Sequence, residues 1–295
     1  MTQLSRILSL FAETPIHAGA GRATGAVDLP IQRERHTGWP MIQASGLKGS
    51  MRAACEERKQ NAAAKITAIF GNDERGGADQ AGAISVGDAR LLLFPVRASI
   101  APFVWVTCPA VLKRLKRDLL RIGFSAAWDT PDCDDGHYLG SEKSQPLLLE
   151  DLLLTYKKQV HGAIYHVLKQ FIPPWPEYGA GELERTLCII SDENFGILVE
   201  TATEIHTRIV LDDKTKTSQN LWYQELLSQN NILYSPLVLA EERRRADSDQ
   251  AKAILPAHEL WQFLVNTLGD YLQVGGDETL GRGWTRVVWL DGEEV

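Results

Sequence analysis

Residues 14–52 read TPIHAGAGRATGAVDLPIQRERHTGWPMIQASGLKGSMR. Gly19, Gly21 and Gly25 loosen the chain, and Pro30, Gly38 and Pro40 deny it a regular ladder, so 22–43 reads as a long irregular loop. Loops of that length inside a domain are usually functional. Asp28 stands alone as an acid between Gly25 and Pro30. Over 33–52 the basic residues Arg33, Arg35, Lys48 and Arg52 face only Glu34. Ser45 reads as an N-cap, and Leu47, Met51, Ala54 and Cys55 then fall on one helical stripe.

Outward from that stretch, residues 3–12 alternate as a strand, and 83–94 and 103–107 read as further strands. Pro109 opens a helix whose Val111, Leu112, Leu115, Leu119 and Ile122 form an apolar face. Its opposite face carries Lys113, Arg114, Lys116, Arg117 and Arg121 against Asp118. An ordinary solvated surface and a direct RNA contact both fit that face. A helix is expected at 157–170, stopped by Pro173–Pro174, with strands near 186–190 and 204–211. TKTSQNLWYQELL (215–227) reads as a hairpin arm, 258–273 as a helix, and WTRVVWL (284–290) as a last strand after a glycine-rich turn. Strands and helices alternate once in each half, which suits an α+β core of split βαβ units.

The 295 residues suit one domain with insertions. The net charge of −7 argues against a surface coated uniformly by nucleic acid, yet leaves room for a local basic groove. No apolar run reaches the roughly 18 residues of a membrane helix, and the N-terminus lacks the pattern of a signal peptide. The expectation is a cytoplasmic protein. Cys55, Cys108, Cys133 and Cys188 lie too far apart for a zinc module or disulfide framework and read as buried thiols.

Several site classes fail on spacing. The acids Asp129, Asp132, Asp134 and Asp135 lack the register of a calcium loop. Gly276 and Gly281 have phosphate-loop separation, but Arg282 and Gly283 follow where Lys and Ser or Thr are needed. A loop with Gly275, Gly276, Gly281, Gly283 and Arg282 can still bring backbone N–H groups and a guanidinium close to phosphate. Gly19, Gly21 and Gly25 miss the dinucleotide fingerprint by one residue. His161 and His166, five apart, do not share a face as a metal pair would, and no G-x-S-x-G elbow occurs.

Against that background 14–52 resembles the N-terminal signature of the RAMP superfamily. VDLPIQRERHTGWP is closely similar to the backbone subunits of type III-B (Cmr) CRISPR effector complexes, and GGDETLGRGW (275–284) resembles the glycine-rich loop that closes RAMP domains. The resemblance implies a ferredoxin-like (RRM-like) palm with an inserted helical region and a protruding β-hairpin thumb. It would be a single RAMP domain over 1–295, with a loop at 18–43, an insertion at about 124–185 and a thumb at about 208–235.

The resemblance further implies an endoribonuclease that stacks in copies along a CRISPR guide RNA beside other RAMP subunits. Each copy would cut bound single-stranded target RNA at regular intervals with a divalent metal, Mg2+ or Mn2+. The family's essential acid matches Asp28, which is also the expected metal ligand, and the histidine of its TPxHxG turn matches His17. The family's thumb carries an acidic pair followed by Tyr. Here Gln224, Glu225 and Leu226 stand there, so an auxiliary acid can only be Glu225. Guide RNA is expected on Arg35, Ser45, Lys48, Arg52, Gly276, Gly281 and Arg282. Two rivals remain: an architectural RNA-binding subunit without cutting activity, and a metal-independent guide-processing ribonuclease using His17 or His36.

Overall fold

The computed structural model describes residues 3–72, 80–141, 146–174, 181–243 and 254–291. Four strands form its centre, in the order Trp284–Asp291, Leu4–Ala12, Ile232–Leu239, Ala89–Val96, each antiparallel to its neighbour. Helix Ala44–Arg58 lies in sequence between the first and second of these strands in the chain, and helix Ala257–Leu268 between the third and fourth. This is the split βαβ arrangement of a ferredoxin-like fold, run twice. The sheet continues through Val104–Thr107, Leu187–Ile189, His137–Gly140, Leu152–Gln159 and Leu147–Leu149, the last four contributed by the middle of the chain.

The first strand shows why the core closes on both sides. Side chains alternate across a sheet, yet Ile7, Leu8, Ser9, Leu10 and Phe11 are all essentially inaccessible. On one face Leu47, Met51 and Cys55 of the first helix join Leu260, Leu264 and Leu268 of the last in the core. On the other, Ser9 Oγ donates to the Phe171 carbonyl at 2.7 Å, and the Phe171 ring meets Tyr234 edge-on at 6.0 Å. Tyr234, the register partner of Ser9, donates its hydroxyl to Asp118 at 3.0 Å. The sheet face that a bare RRM presents to nucleic acid is therefore covered.

Several expected elements shift. The helix expected at 157–170 is a strand to Gln159 followed by a short helix, Gly162–Leu168, because Leu152–Gln159 finds two sheet neighbours. The helix expected at 258–273 stops at Leu268: Gly269 takes φ +55°, and Tyr271–Gln273 pairs with the last strand. The strand expected over 83–94 breaks at Gly87–Asp88 into Ile84–Val86 and Ala89–Val96. Helix Asp192–Thr201, capped by Ser191 Oγ on Asn194 N–H, was not anticipated. The hairpin comprises Glu204–Leu211 and Ser218–Leu226, while Ile232 onward belongs to the central sheet.

Ser45 is not the cap of its helix. The helix begins at Ala44, whose N–H is met at 2.8 Å by the carboxylate of Asp88 across the chain. Asp88→Ala is expected to lower unfolding free energy by about 0.5–2 kcal/mol in urea denaturation, the usual cost of losing an N-cap acceptor. An unchanged midpoint would show that water replaces the carboxylate without loss.

All four cysteines are free and buried. Burial pushes the Cys55 and Cys188 thiols up to about 12 and Cys133 to about 11, so none is poised as a nucleophile at neutral pH. Among the described residues no helix is long and apolar enough to cross a membrane.

Candidate active site and RNA-binding surface

The irregular 14–43 loop is ordered by the base of the hairpin. Strand Ser218–Leu226 pairs on one edge with Glu204–Leu211. Its other edge carries the loop: Leu29 N–H donates to the Tyr223 carbonyl and Glu225 N–H to the Leu29 carbonyl, both at 3.0 Å. Pro30 supplies no N–H there. Asp28 closes this join with its side chain, Oδ2 accepting from Tyr223 N–H at 2.8 Å. One carboxylate oxygen of Asp28 is thereby held at the hairpin base, and the other, Oδ1, has no protein partner among the described residues.

His17 lies where the loop, the hairpin strand and the glycine-rich turn meet. Its Nδ1 is 2.8 Å from the Glu225 carbonyl. A carbonyl only accepts, so Nδ1 carries the proton and Nε2 the lone pair in the neutral ring. Gly276 N–H donates to the His17 carbonyl at 2.9 Å. Gly275 has φ +84°, and a Cβ there would sit 2.4 Å from the His17 carbonyl oxygen; at Gly283, φ +74°, it would meet the Val274 oxygen at 2.0 Å. These glycines let the turn press against the histidine loop. The Gly276 and Gly281 N–H groups expected on phosphate are both used internally, on the His17 and Glu278 carbonyls at 2.9 Å each, although a side chain at Gly281 would meet only open space.

Glu225 is interior. Its Oε1 takes Arg33 at 2.5 Å and Thr203 Oγ1 at 2.9 Å, and its Oε2 takes Ile31 N–H at 3.0 Å. Arg33 also donates to the Gly38 and Val199 carbonyls, at 2.8 and 3.0 Å. The pair ties the hairpin, the loop and the end of helix Asp192–Thr201 together.

The expected RNA-binding residues divide in two. Arg52 is occupied, donating to Glu56 at 2.8 Å and to the Gly71 carbonyl at 3.2 Å. Arg282 Nη2 donates to His206 Nδ1 at 2.9 Å, and His206 Nε2 is 3.1 Å from Glu204. Ser45 lies inside the first turn rather than at the cap. Lys48 is different: it has no hydrogen-bond partner among the described residues, and burial and the positive charges of Arg52 and Arg243 hold its pKa below the usual lysine value. Such an electropositive spot is relieved by an anion. Arg35 is exposed at the tip of the 33–39 turn.

Two residues at this junction escaped the sequence reading. His206 and Arg208 flank Thr207 on one hairpin strand, and Asp277 faces them from the glycine-rich turn. Gln224 donates to Asp277 at 2.7 Å, and Arg208 reaches it at 3.6 Å. The alternation of Glu204, His206 and Arg208 in EIHTRIVL was the available signal, since those three share one face of a strand.

Among the described residues no three His, Cys, Asp or Glu side chains lie close enough to hold a metal ion together. Hard divalent cations want about six oxygens. Among the described residues there is therefore no preformed centre of that kind.

A split βαβ palm with a side hairpin, a histidine turn and a closing glycine loop defines a class. Residues 10–286 match the RAMP superfamily, and the chain belongs to it. Over 286 residues it is 36% identical to the CRISPR system Cmr endoribonuclease Cmr4 of Pyrococcus furiosus, covering 95% of this chain and 94% of that one. It is 24% identical over 308 residues to the CRISPR system CMR subunit Cmr4 of Saccharolobus solfataricus. The crystal structure of oligomeric Cmr4 from Pyrococcus furiosus superposes with a TM-score of 0.75 at 28% identity, covering 99% of this chain and all of that one. A chain of the type III-B Cmr-beta complex bound to cognate target RNA shares the fold, with a TM-score of 0.72 at 19% identity.

Proposed function

We propose that this chain is the guide-RNA-binding backbone subunit of a type III-B CRISPR effector complex and that it cuts target RNA held on the guide. The observation that carries the reading is 36% identity, over nearly the whole of both chains, to a relative named an endoribonuclease. Copies stack head to tail beside other RAMP subunits, as the oligomeric relative suggests.

Asp28 is the residue assigned to the chemistry. The 2′-oxygen of the nucleotide at the cut attacks the adjacent phosphorus, its proton passes to Asp28 Oδ1, and the 5′-oxygen leaves with a proton from water. The products are a 2′,3′-cyclic phosphate and a 5′-hydroxyl. The protein's main work is to hold the 2′-oxygen in line, which the fixed Tyr223–Asp28 join serves. His17 positions the turn that faces this join.

Metal dependence belongs to the same reading: Mg2+ or Mn2+ would neutralise charge on the phosphate, and Asp28 would offer it a carboxylate from the protein. The assembled complex should lose cutting with a chelator and regain it with either ion. Undiminished cutting in chelator would instead favour a metal-independent route.

On the guide side Lys48 is a cation with no hydrogen-bond partner among the described residues. Lys48→Ala should reduce the slope of log binding constant against log salt by about 0.7, one phosphate contact on a single strand. Arg52→Ala should move it little, because Arg52 is already spent on Glu56 and Gly71. Equal effects of the two changes would place the guide elsewhere.

A further inference from the structure

The basic run on helix Pro109–Arg121 is not consumed by anything described so far. Its side chains separate in the fold. Arg114 is spent on Glu34, at 2.6 Å, and on the Leu91 carbonyl, at 2.9 Å; Lys116 is spent on the Trp128 carbonyl at 2.6 Å. The remaining three, Lys113, Arg117 and Arg121, stand four residues apart along one exposed line. Lys113 has no partner among the described residues.

The one acid of this segment, Asp118, does not lie on the exposed line. Asp118 is fully buried and accepts from Tyr234, while Arg117, Arg90 and Arg121 approach it from outside at 3.2, 3.5 and 4.0 Å. Three guanidiniums around one carboxylate leave two positive charges uncompensated. Side-chain exposure of 59% at Arg117 and 64% at Arg121 keeps both heads in water.

Like charges four apart on a helix repel and cost stability. A merely solvated face interleaves signs, and this chain, at net −7, has acids to spare. Concentrating cations here instead is what an anionic ligand would compensate. The spacing also fits a linear one: four residues rise about 6 Å, on the scale of consecutive phosphates of an RNA strand. The Arg114–Glu34 pair joins the helix to the 33–39 turn, whose exposed Arg35 extends the basic surface toward the Arg33–Glu225 anchor at the hairpin base.

We infer that Lys113, Arg117 and Arg121 form a second RNA-binding surface, a phosphate track that takes the backbone of a strand leaving the hairpin base by way of the 33–39 turn. Buried Asp118 acts as a positioning residue, holding Arg117 and Arg121 in place without cancelling them. The inference rests on the reading of this chain as RNA-bound, and it concerns backbone contact without base readout.

The test is a salt series of fluorescence anisotropy with the full chain and a labelled single-stranded RNA long enough to pass both surfaces. The triple change K113A/R117A/R121A should lower the salt slope by about 2, at about 0.7 per phosphate. R117K/R121K keeps the charge and should keep the slope. K113A touches no buried group, so it remains informative if the triple variant does not fold; it should lower the slope by about 0.7. If wild type binds RNA and K113A and a folded triple variant match its slope, the track is wrong while the RNA-bound reading stands. If wild type shows no salt-dependent RNA binding, both fail together. A normal RNA slope with lost self-association in the triple variant would also overturn the inference, assigning the face to an acidic surface of a second copy.

Discussion

Asp28→Ala is expected to leave guide and target affinity within about twofold while reducing target cutting by about 10²–10⁴-fold, the range for a positioned proton acceptor. The expectation follows from the division of labour within one side chain. Oδ2 accepts from Tyr223 N–H at 2.8 Å, and Oδ1 is left for chemistry. The join survives without the carboxylate, since Leu29 and Glu225 still exchange backbone bonds with Tyr223 and Leu29 across the same edge. Loss of one side-chain hydrogen bond at an exposed turn costs about 1 kcal/mol, too little to unfold the loop. Asp28→Asn sharpens the comparison, because its amide oxygen can still accept from Tyr223 but cannot take up a proton. Single-turnover cutting by the assembled complex should fall for both variants, with Kd for target unchanged. Normal cutting by Asp28→Asn would end the assignment and move the cutting chemistry to another residue.

Glu225→Ala should act through stability. Removing one member of a buried, hydrogen-bonded ion pair costs about 3–5 kcal/mol because the partner is left uncompensated. Arg33 retains 23% side-chain exposure, so the lower end, about 3 kcal/mol, is expected. Ile31 N–H and Thr203 Oγ1 lose their acceptor as well. The loop carrying Asp28 should then detach from the hairpin, and cutting should fall together with the thermal midpoint. Glu225→Gln separates this role from an auxiliary acid: its one amide oxygen can still accept from Ile31 N–H, its NH2 can donate to the Thr203 hydroxyl, and it should retain most cutting at a temperature where it is folded. Abolished cutting in a folded Glu225→Gln protein would restore Glu225 to the chemistry.

The two predictions differ because the fold treats two carboxylates of one loop–hairpin junction in opposite ways. Among the described residues the Asp28 side chain meets one backbone N–H and stays exposed, whereas Glu225 meets a guanidinium, a hydroxyl and a backbone N–H in the interior. Residue type could not distinguish them, since both are single acids among largely apolar neighbours, Val27 and Leu29 beside Asp28 and Leu226 and Leu227 after Glu225.

What the sequence determined by itself was set by local physics. The stripe of Leu47, Met51 and Cys55 and the face of Val111, Leu112, Leu115 and Leu119 each specify a helix and its buried side, and both are found as read; LSRILSLFA is found as the strand its pattern specifies, but the fold buries it on both faces. Asp28 and His17 stood out through the strings around them and Lys48 through its basic neighbourhood, and the fold brings Asp28 and His17 to the hairpin base. Long-range pairing decided the rest. Leu152–Gln159 looks helical until two strands accept it, and Ser45 looks like a cap until Asp88, 44 residues beyond Ala44, takes the helix N-terminus. Arg52 and Arg282 carry the right charge for RNA but meet Glu56, Gly71 and His206 first. A charge is free for a ligand only if no nearer partner claims it, and which partners are near is decided by the tertiary fold.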